Sequence, residues 1–334
     1  MLSKMPLIPP SGNGFNHCVL ELPKMYSALL AIIYLAFISL GLPDTLLGSA
    51  WPQMHIELNA SLSSAGIITM IISLGTVISS LLSDRLNIKL GTGKVTAISV
   101  LMTAVALLGF SLSHSFIILC VLAVPYGLGA GAVDAALNNY VALHYSSKHM
   151  SWLHCFWGVG ASIGPYIIGT CMAHGLGWRG GYSVISVIQF TLTAALFITL
   201  PLWKKVENSE NNVSNENNER TQEEPQERKA KSLSEVLHIK GVIYILFAFF
   251  CYSAVEQTTT LWCASYLVLN RSIDSNTAAK FAALFYIGIT FGRFLCGFIA
   301  DKLGDKNMIR LGIVIIVAGI VMLFMPIPGS AIAL

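Results

Sequence analysis

The feature of this sequence that most restricts its fold is a series of long apolar blocks separated by short polar segments. Each block approaches the roughly 20 residues that an α-helix needs to cross a bilayer at ~1.5 Å per residue. Backbone polar groups in hydrocarbon must be paired within the protein, so the blocks predict helices; they are too long and too uniformly apolar for barrel strands. The nine predicted spans are 27–49, 61–83, 95–112, 115–140, 151–173, 182–202, 241–267, 277–300 and 309–325, and a tenth begins at Ala331.

Composition agrees with a chain whose main solvent is lipid. Of its 334 residues 11% are charged, compared with about a quarter in an ordinary soluble domain. Lysine and arginine lie in short connections rather than in a stripe, so we expect no nucleic-acid partner. The seven cysteines and eight histidines show no metal-binding or catalytic spacing. We therefore expect an all-α integral membrane protein that is not an enzyme and holds no metal or other cofactor.

The placement of positive charge predicts the orientation, because lysine and arginine stay preferentially on the cytoplasmic side of a membrane. With the N-terminus inside, 16 of the 20 Lys and Arg fall in inner segments, three in outer segments and Arg293 within a span. We expect a multi-pass protein of the cell membrane with a cytoplasmic N-terminus. Four tryptophans fall at predicted span ends, where we expect them to anchor at the headgroup level: Trp51, Trp152, Trp178 and Trp203.

A polar stretch divides the chain, and it is too poor in apolar residues to fold alone. The predicted organisation is an N-terminal cytoplasmic segment (1–25), a six-helix half (26–203), a cytoplasmic linker (204–240) and an incomplete second half (241–334). Met25 is an alternative start to Met1. Because the sequence stops inside an apolar segment at Leu334, we expect a C-terminally truncated chain.

Two related segments follow the second and the eighth span. The first reads S-L-L-S-D-R-L-N-I-K-L-G from Ser80, and the second reads G-F-I-A-D-K-L-G-D-K from Gly297. In each, an acid and a base precede a turn, where the acid can cap a helix or pair with the other half. The pair resembles the G-x-x-x-D-R/K-x-G-x-R/K signature of the major facilitator superfamily, although Ser80 and Asn87 replace the two glycines in the first copy.

That resemblance implies a fold of two six-helix halves, the second incomplete here, with about nine transmembrane helices and the start of a tenth. The halves of such proteins expose a central site alternately to the two sides of the membrane. The motif residues would then form a cytoplasmic gate: Asp84, Arg85, Gly297, Asp301, Lys302 and Gly304.

Three acids fall within predicted spans, namely Asp44, Asp134 and Glu256. An ionisable group in a membrane is costly unless it faces a cavity or a partner, so each acid is a candidate functional residue. Helical spacing places Asn138 on the face of Asp134, and Tyr252 on the face of Glu256. Such groups suit a ligand rich in hydroxyls, and a buried acid can carry a proton. The alternative is that Asp134 and Glu256 are structural, each hydrogen-bonded to a neighbouring helix.

Four short segments, 41–44, 131–138, 154–160 and 252–256, are similar to the fucose, galactose and glucose permease branch of the superfamily. Under that resemblance Trp157 and Trp262 either stack on a sugar or pack in the core. We expect His154 to be an interhelical histidine rather than a proton relay, and Arg293 to snorkel inward or pair rather than to bind substrate. The implied substrate-binding and coupling residues are Asp44, Asp134, Asn138, Trp157, Tyr252, Glu256 and Gln257.

The resulting prediction is a monomeric secondary transporter of a small polar solute, most specifically a monosaccharide:proton symporter that works by alternating access. Sodium is the alternative coupling ion, since carboxylate and carbonyl oxygens also bind it. Two other functions stay open. One is a drug or metabolite efflux antiporter of the same superfamily, and the other is a membrane sensor or transporter relic without flux.

Overall fold

The computed structural model describes residues 15–145, 147–220 and 237–324. Within these ranges the protein is built of ten α-helices and contains no strand. The helices are α1 (Phe15–Asp44), α2 (Leu46–Glu57), α3 (Ser64–Leu90), α4 (Thr92–Leu112), α5 (Phe116–His144), α6 (Ser147–Ala173), α7 (Gly177–Arg220), α8 (Val242–Arg271), α9 (Ser275–Leu303) and α10 (Asp305–Phe324).

In the described ranges, eight helical segments are long and apolar enough to cross a membrane, which confirms the all-α membrane fold. They correspond, apart from their end positions, to the first eight predicted spans. The first segment, Met25–Glu57, joins α1 and α2 across a break at Thr45. The ninth predicted span coincides with α10 as far as Phe324, whereas the tenth lies outside the described residues.

Helix α7 continues beyond the predicted end of the first half. The linker was predicted to begin at Lys204, yet α7 runs without interruption to Arg220. The Glu, Lys, Arg and Asn residues of this extension are compatible with a helix even though they are too polar for a membrane. Hydropathy therefore marks where a span ends and not where its helix ends.

A buried bond between α1 and α7 compensates for a proline. Pro43 has no N–H to donate to the carbonyl of Ser39 four residues earlier. That carbonyl instead accepts a hydrogen bond from the side-chain amide of Gln189, whose amide oxygen accepts one from the Ser39 hydroxyl. The proline-containing end of α1 is thus tied to α7 through a fully paired polar contact inside the bundle.

Glycines allow α1 and α6 to approach closely. A Cβ at Gly41 would overlap the backbone of Trp157, and a Cβ at Gly160 would overlap the backbone of Ile38. Close contact through small residues is a common way for membrane helices to associate. This contact brings Trp157 beside Asp44 at the end of α1.

Helices α8 and α9 pack against the first seven helices mainly near one end of the bundle, which we call the Glu57 end; the opposite end is the Leu90 end. Gly48 of α2 abuts the backbone of Thr260, and Gly158 of α6 abuts Thr290. Their buried residues fall on the part toward the Glu57 end: Cys263, Ala264, Ser265, Leu267, Ala278, Ala279, Ala282, Ala283 and Tyr286. Toward the Leu90 end both helices are largely exposed.

The predicted tryptophan anchors are wrong at three of four positions. Trp51, Trp178 and Trp203 are buried inside the protein, with exposed fractions of 0%, 0% and 3%. The indole N–H of Trp178 donates to the Glu57 carboxylate at 3.0 Å, and that of Trp51 donates to the carbonyl of Leu62 at 2.7 Å. Position along a span indicates the depth of a ring in the membrane, but it does not indicate whether the ring faces lipid or protein.

Candidate functional site

A cavity of about 650 Å³ lies among helices α1 to α9. Its volume is within the ~300–1,000 Å³ of typical small-molecule sites. Hydroxyl and aromatic side chains from several helices contribute to its wall. Five of the predicted binding or coupling residues line it: Asp44, Asp134, Trp157, Glu256 and Gln257.

Asp44 ends α1 at the break before α2, with its carboxylate toward the cavity. One oxygen accepts a hydrogen bond from the Tyr126 hydroxyl of α5 at 3.2 Å. The other accepts one from the indole N–H of Trp157 on α6 at 2.9 Å. Both donors are electrically neutral, so they orient the carboxylate without neutralising its charge.

Trp157 also contacts the second group of helices. The guanidinium carbon of Arg293, on α9, lies 5.0 Å from the centroid of the Trp157 ring, which is within cation–π range. An Arg293 nitrogen lies 3.7 Å from a carboxylate oxygen of Glu256 on α8. Arg293 therefore pairs between helices, as the sequence suggested, and its described acidic partner is Glu256. The edge of Tyr286 also meets the Trp157 ring, with centroids 6.4 Å apart.

Asp134 and Asn138 interact with each other on α5. The Asn138 amide donates to the Asp134 carboxylate at 2.9 Å and to its backbone carbonyl at 3.1 Å. Asp134 lines the cavity, while Asn138 stands one turn further along the helix and orients it. This bond lies within α5, so it differs from the bond to a neighbouring helix that was the structural alternative for Asp134, and it leaves part of the carboxylate available to the cavity.

The other predicted residues fall at or near the cavity wall. Tyr252 is 43% exposed, and its hydroxyl lies beside Glu256 and Arg293. His154 lines the cavity and meets Phe37 edge to face, with centroids 6.0 Å apart. Trp262 packs against the hydrophobic core instead, so of its two predicted roles the structure shows core packing.

The predicted gating motif is only partly described. Asp84 and Arg85 are exposed near the Leu90 end of α3. Gly304 separates α9 from α10 at a φ of +74°, a left-handed conformation that favours glycine, as the motif suggested. Gly297, Asp301 and Lys302 lie in α9, but the structure does not describe the side chains of Asp301 and Lys302 or the exposure of Gly297.

Sequence reasoning missed two polar residues that build the site. Tyr126 binds Asp44 directly, and Gln189 holds the α1 segment that carries Asp44. Both are neutral, so neither stands out inside an apolar block as an acid does. A usable signal for Gln189 was the carbonyl that Pro43 leaves free, which requires some donor from a neighbouring helix.

Comparison with known proteins places the chain among transporters of one large family. The family model of the Major Facilitator Superfamily matches residues 33–334. The chain is 23% identical to "Bypass of stop codon protein 6" of Saccharomyces cerevisiae over 87% of this chain and 60% of that protein. It is 24% identical to the cis,cis-muconate transport protein of Acinetobacter baylyi, over 84% and 67% of the two chains. The glucose/mannose transporter GlcP of Bacillus subtilis is 22% identical, over 81% and 65%.

A solved structure shares the fold. A bacterial homologue of the human lysosomal transporter Spinster, in an inward-facing and occupied conformation, superimposes with a TM-score of 0.62 at 16% identity. The match covers 92% of this chain and 71% of that one, so the chain spans about two thirds of the length of these relatives. The helical bundle, the central cavity and the match to residues 33–334 together show that the chain belongs to the major facilitator superfamily.

Proposed function

We propose that this protein carries a small polar solute across the cell membrane by alternating access, and that the solute is a monosaccharide moved together with a proton. The observation that carries the proposal is the central cavity, where Asp44, Asp134 and Glu256 meet hydroxyl groups and aromatic rings. Placing three acids in membrane-spanning helices is costly unless they face a water-filled cavity or a partner, so acids that line a cavity are candidates to act on a ligand or an ion. We further propose that the protein acts as a monomer with a cytoplasmic N-terminus.

Asp44 is the best candidate for the proton carrier. Its described hydrogen-bond partners, Tyr126 and Trp157, are neutral donors. Glu256, in contrast, has the cation Arg293 as a partner. A proton on Asp44 would therefore remove a negative charge that neither of these partners offsets, whereas the charge of Glu256 is already balanced by Arg293. Asp44 also faces the cavity, so a proton can reach it by the same route as the solute.

The cavity wall suits a polyhydroxyl solute better than an anion. Carboxylates accept hydrogen bonds from sugar hydroxyls, and Gln257, Ser73 and Thr76 add further polar groups to the wall. Aromatic faces at Trp157 and Tyr126 can cover the apolar face of a ring. An organic acid is the second candidate, because one relative is a muconate transport protein and Arg293 also lines the cavity. The three acids disfavour it, since an anion would meet like charges.

The test is uptake into sealed vesicles that contain the purified chain. Radiolabelled glucose, galactose, fucose and muconate are offered with and without an inward proton gradient. We expect the parent chain to accumulate at least one sugar when the gradient is present. Asp44→Asn should lose this accumulation but still exchange labelled for unlabelled sugar when the sugar concentrations on the two sides are equal. Asp274→Asn is the matched control, because Asp274 is an exposed residue between α8 and α9 that accepts from the Thr277 N–H, a cap that asparagine can replace.

Either of two results contradicts the proposal. Uptake of muconate without any sugar uptake shows that the organic acid is the solute. If Asp44→Asn accumulates sugar as well as the parent chain does, Asp44 does not carry the coupled proton.

A further inference from the structure

Trp157 contacts both groups of helices through different parts of one side chain. Its N–H binds the carboxylate of Asp44 at 2.9 Å on the side of α1. The face of its ring carries the guanidinium of Arg293 on the side of α9, 5.0 Å from the centroid. A movement of the indole therefore changes both contacts together.

The Arg293–Glu256 contact is loose. Its 3.7 Å separation exceeds the ~2.7–2.9 Å of a strong charge-assisted hydrogen bond, so Arg293 is shared between Glu256 and the Trp157 ring. Neither group is deeply buried, with side-chain exposures of 29% for Arg293 and 14% for Glu256. The arginine can thus move toward the carboxylate if the ring no longer holds it.

We propose that Trp157 is a positioning residue that links the state of Asp44 to the Arg293–Glu256 pair. The proposal rests on the proposed transport function and names the coupling element of the same site. While Asp44 is ionised, it holds the N–H and fixes the ring on which Arg293 lies. When Asp44 takes up a proton or engages the solute, its hydrogen bond to the N–H loses the assistance of the charge and weakens, the ring can turn, and Arg293 closes on Glu256.

This link has a mechanical consequence. Helices α8 and α9 pack on the first seven helices mainly at the Glu57 end, while Trp157 and Arg293 lie further toward the Leu90 end. Releasing Arg293 from Trp157 removes a contact that ties α9 to α6 in that region. The cavity wall from α8 and α9 can then shift relative to the other helices.

Besides Asp44, Glu256 and Arg293, other ionisable groups surround Trp157 and contribute to any pH response. From α5, α6, α7, α8 and α9 they are Tyr126, Asp134, His154, Cys155, Tyr182, Tyr252 and Tyr286. A pH response alone therefore does not identify Trp157, and the test compares variants that leave these groups unchanged.

The test measures how fast a thiol in the cavity is labelled, so it does not depend on knowing the solute. Ser253 of α8 lines the cavity, whereas the native cysteines Cys251 and Cys296 are exposed. Ser253→Cys is introduced after Cys251→Ser and Cys296→Ser. A polar maleimide is then applied in mildly acidic and in mildly alkaline buffer, and each rate is divided by that of free N-acetylcysteine in the same buffer, because only the thiolate reacts. We expect this normalised labelling rate to change with pH by about two- to fivefold, the range that a lost cation–π contact supports.

Trp157→Phe keeps a ring for Arg293 but loses the N–H, and we expect it to abolish this pH response. Trp152→Phe, on the same helix, is the matched control and should keep the response. Asp44→Asn with Trp157 intact should also lack it, and the double variant should show no further change. If Trp157→Phe responds to pH like the parent, or if the parent has no response, the link is refuted.

The outcome separates this link from the proposed function. If no sugar moves but the labelling response and its loss in Trp157→Phe are observed, the link stands and the sugar assignment fails. If sugar is accumulated by Trp157→Phe as by the parent, transport stands and Trp157 does not couple it.

Discussion

The ion pair between Arg293 and Glu256 gives a stability prediction whose size follows from its geometry. At 3.7 Å, two unit charges attract by roughly 4.5 kcal/mol at an effective dielectric constant of ~20. Partial exposure and the ordering of two long side chains reduce this value, so we expect a net coupling free energy of about 1–2 kcal/mol. The cation–π contact of Arg293 with Trp157 adds to the cost of removing Arg293, but it cancels from the coupling with Glu256.

The assay is a double-mutant cycle of Arg293→Gln, Glu256→Gln and the double variant, followed by thermal unfolding in detergent. We expect Arg293→Gln to be the more destabilising single change, because it leaves Glu256 without its cation and also removes the contact with Trp157. The double variant should be more stable than the sum of the single effects predicts. A parallel cycle of Arg310→Gln with Glu256→Gln should be additive, since Arg310 is an exposed residue of α10. A coupling below ~0.5 kcal/mol for the Arg293 cycle would refute the assigned contact.

Two further predictions concern the contacts that hold α1 in place. Gly160→Ala should lower the free energy of unfolding by about 1–3 kcal/mol, because the added methyl group overlaps the backbone of α1; Gly292→Ala, which has open space around it, should have little effect in the same thermal assay. Gln189→Leu should cost about 1–3 kcal/mol, because it leaves the buried hydroxyl and carbonyl of Ser39 unpaired. Thr191→Val is the control, as Thr191 is exposed on the same helix, and equal melting temperatures for the two variants would contradict the role of Gln189.

The transmembrane helices could be predicted from sequence because a span needs only length and apolar composition. The same rule does not detect where a helix breaks or continues beyond the membrane. The break at Thr45 falls inside one predicted span, and α7 extends to Arg220 through residues too polar for a membrane. Both features depend on backbone hydrogen bonding rather than on transfer from water to lipid. Hydropathy therefore predicts the spans better than the helix boundaries.

The acids of the candidate site could be predicted for a related reason. A charge within an apolar block is conspicuous, and Asp44, Asp134 and Glu256 all line the cavity. Their partners were harder to identify, since pairing Asp44 with Tyr126 requires the relative rotation of α1 and α5. One sequence contains the periodicity within each helix but not the register between helices. Trp178 shows the same limit, because its burial against Glu57 depends on packing between α2 and α7.

Asp44 and Glu256 both line the cavity, but a proton would have different effects on them. Asp44 is bound by neutral donors, so its protonation changes the net charge of the cavity and weakens its hydrogen bond to Trp157. Glu256 has a cation beside it, so its protonation would leave Arg293 without its described anionic partner. Protonation of Asp44 lowers the electrostatic cost of closing the cavity to water, whereas protonation of Glu256 raises it. In the proposed transport cycle, closure around the solute is therefore favoured by a proton on Asp44 with the Arg293–Glu256 pair kept ionised.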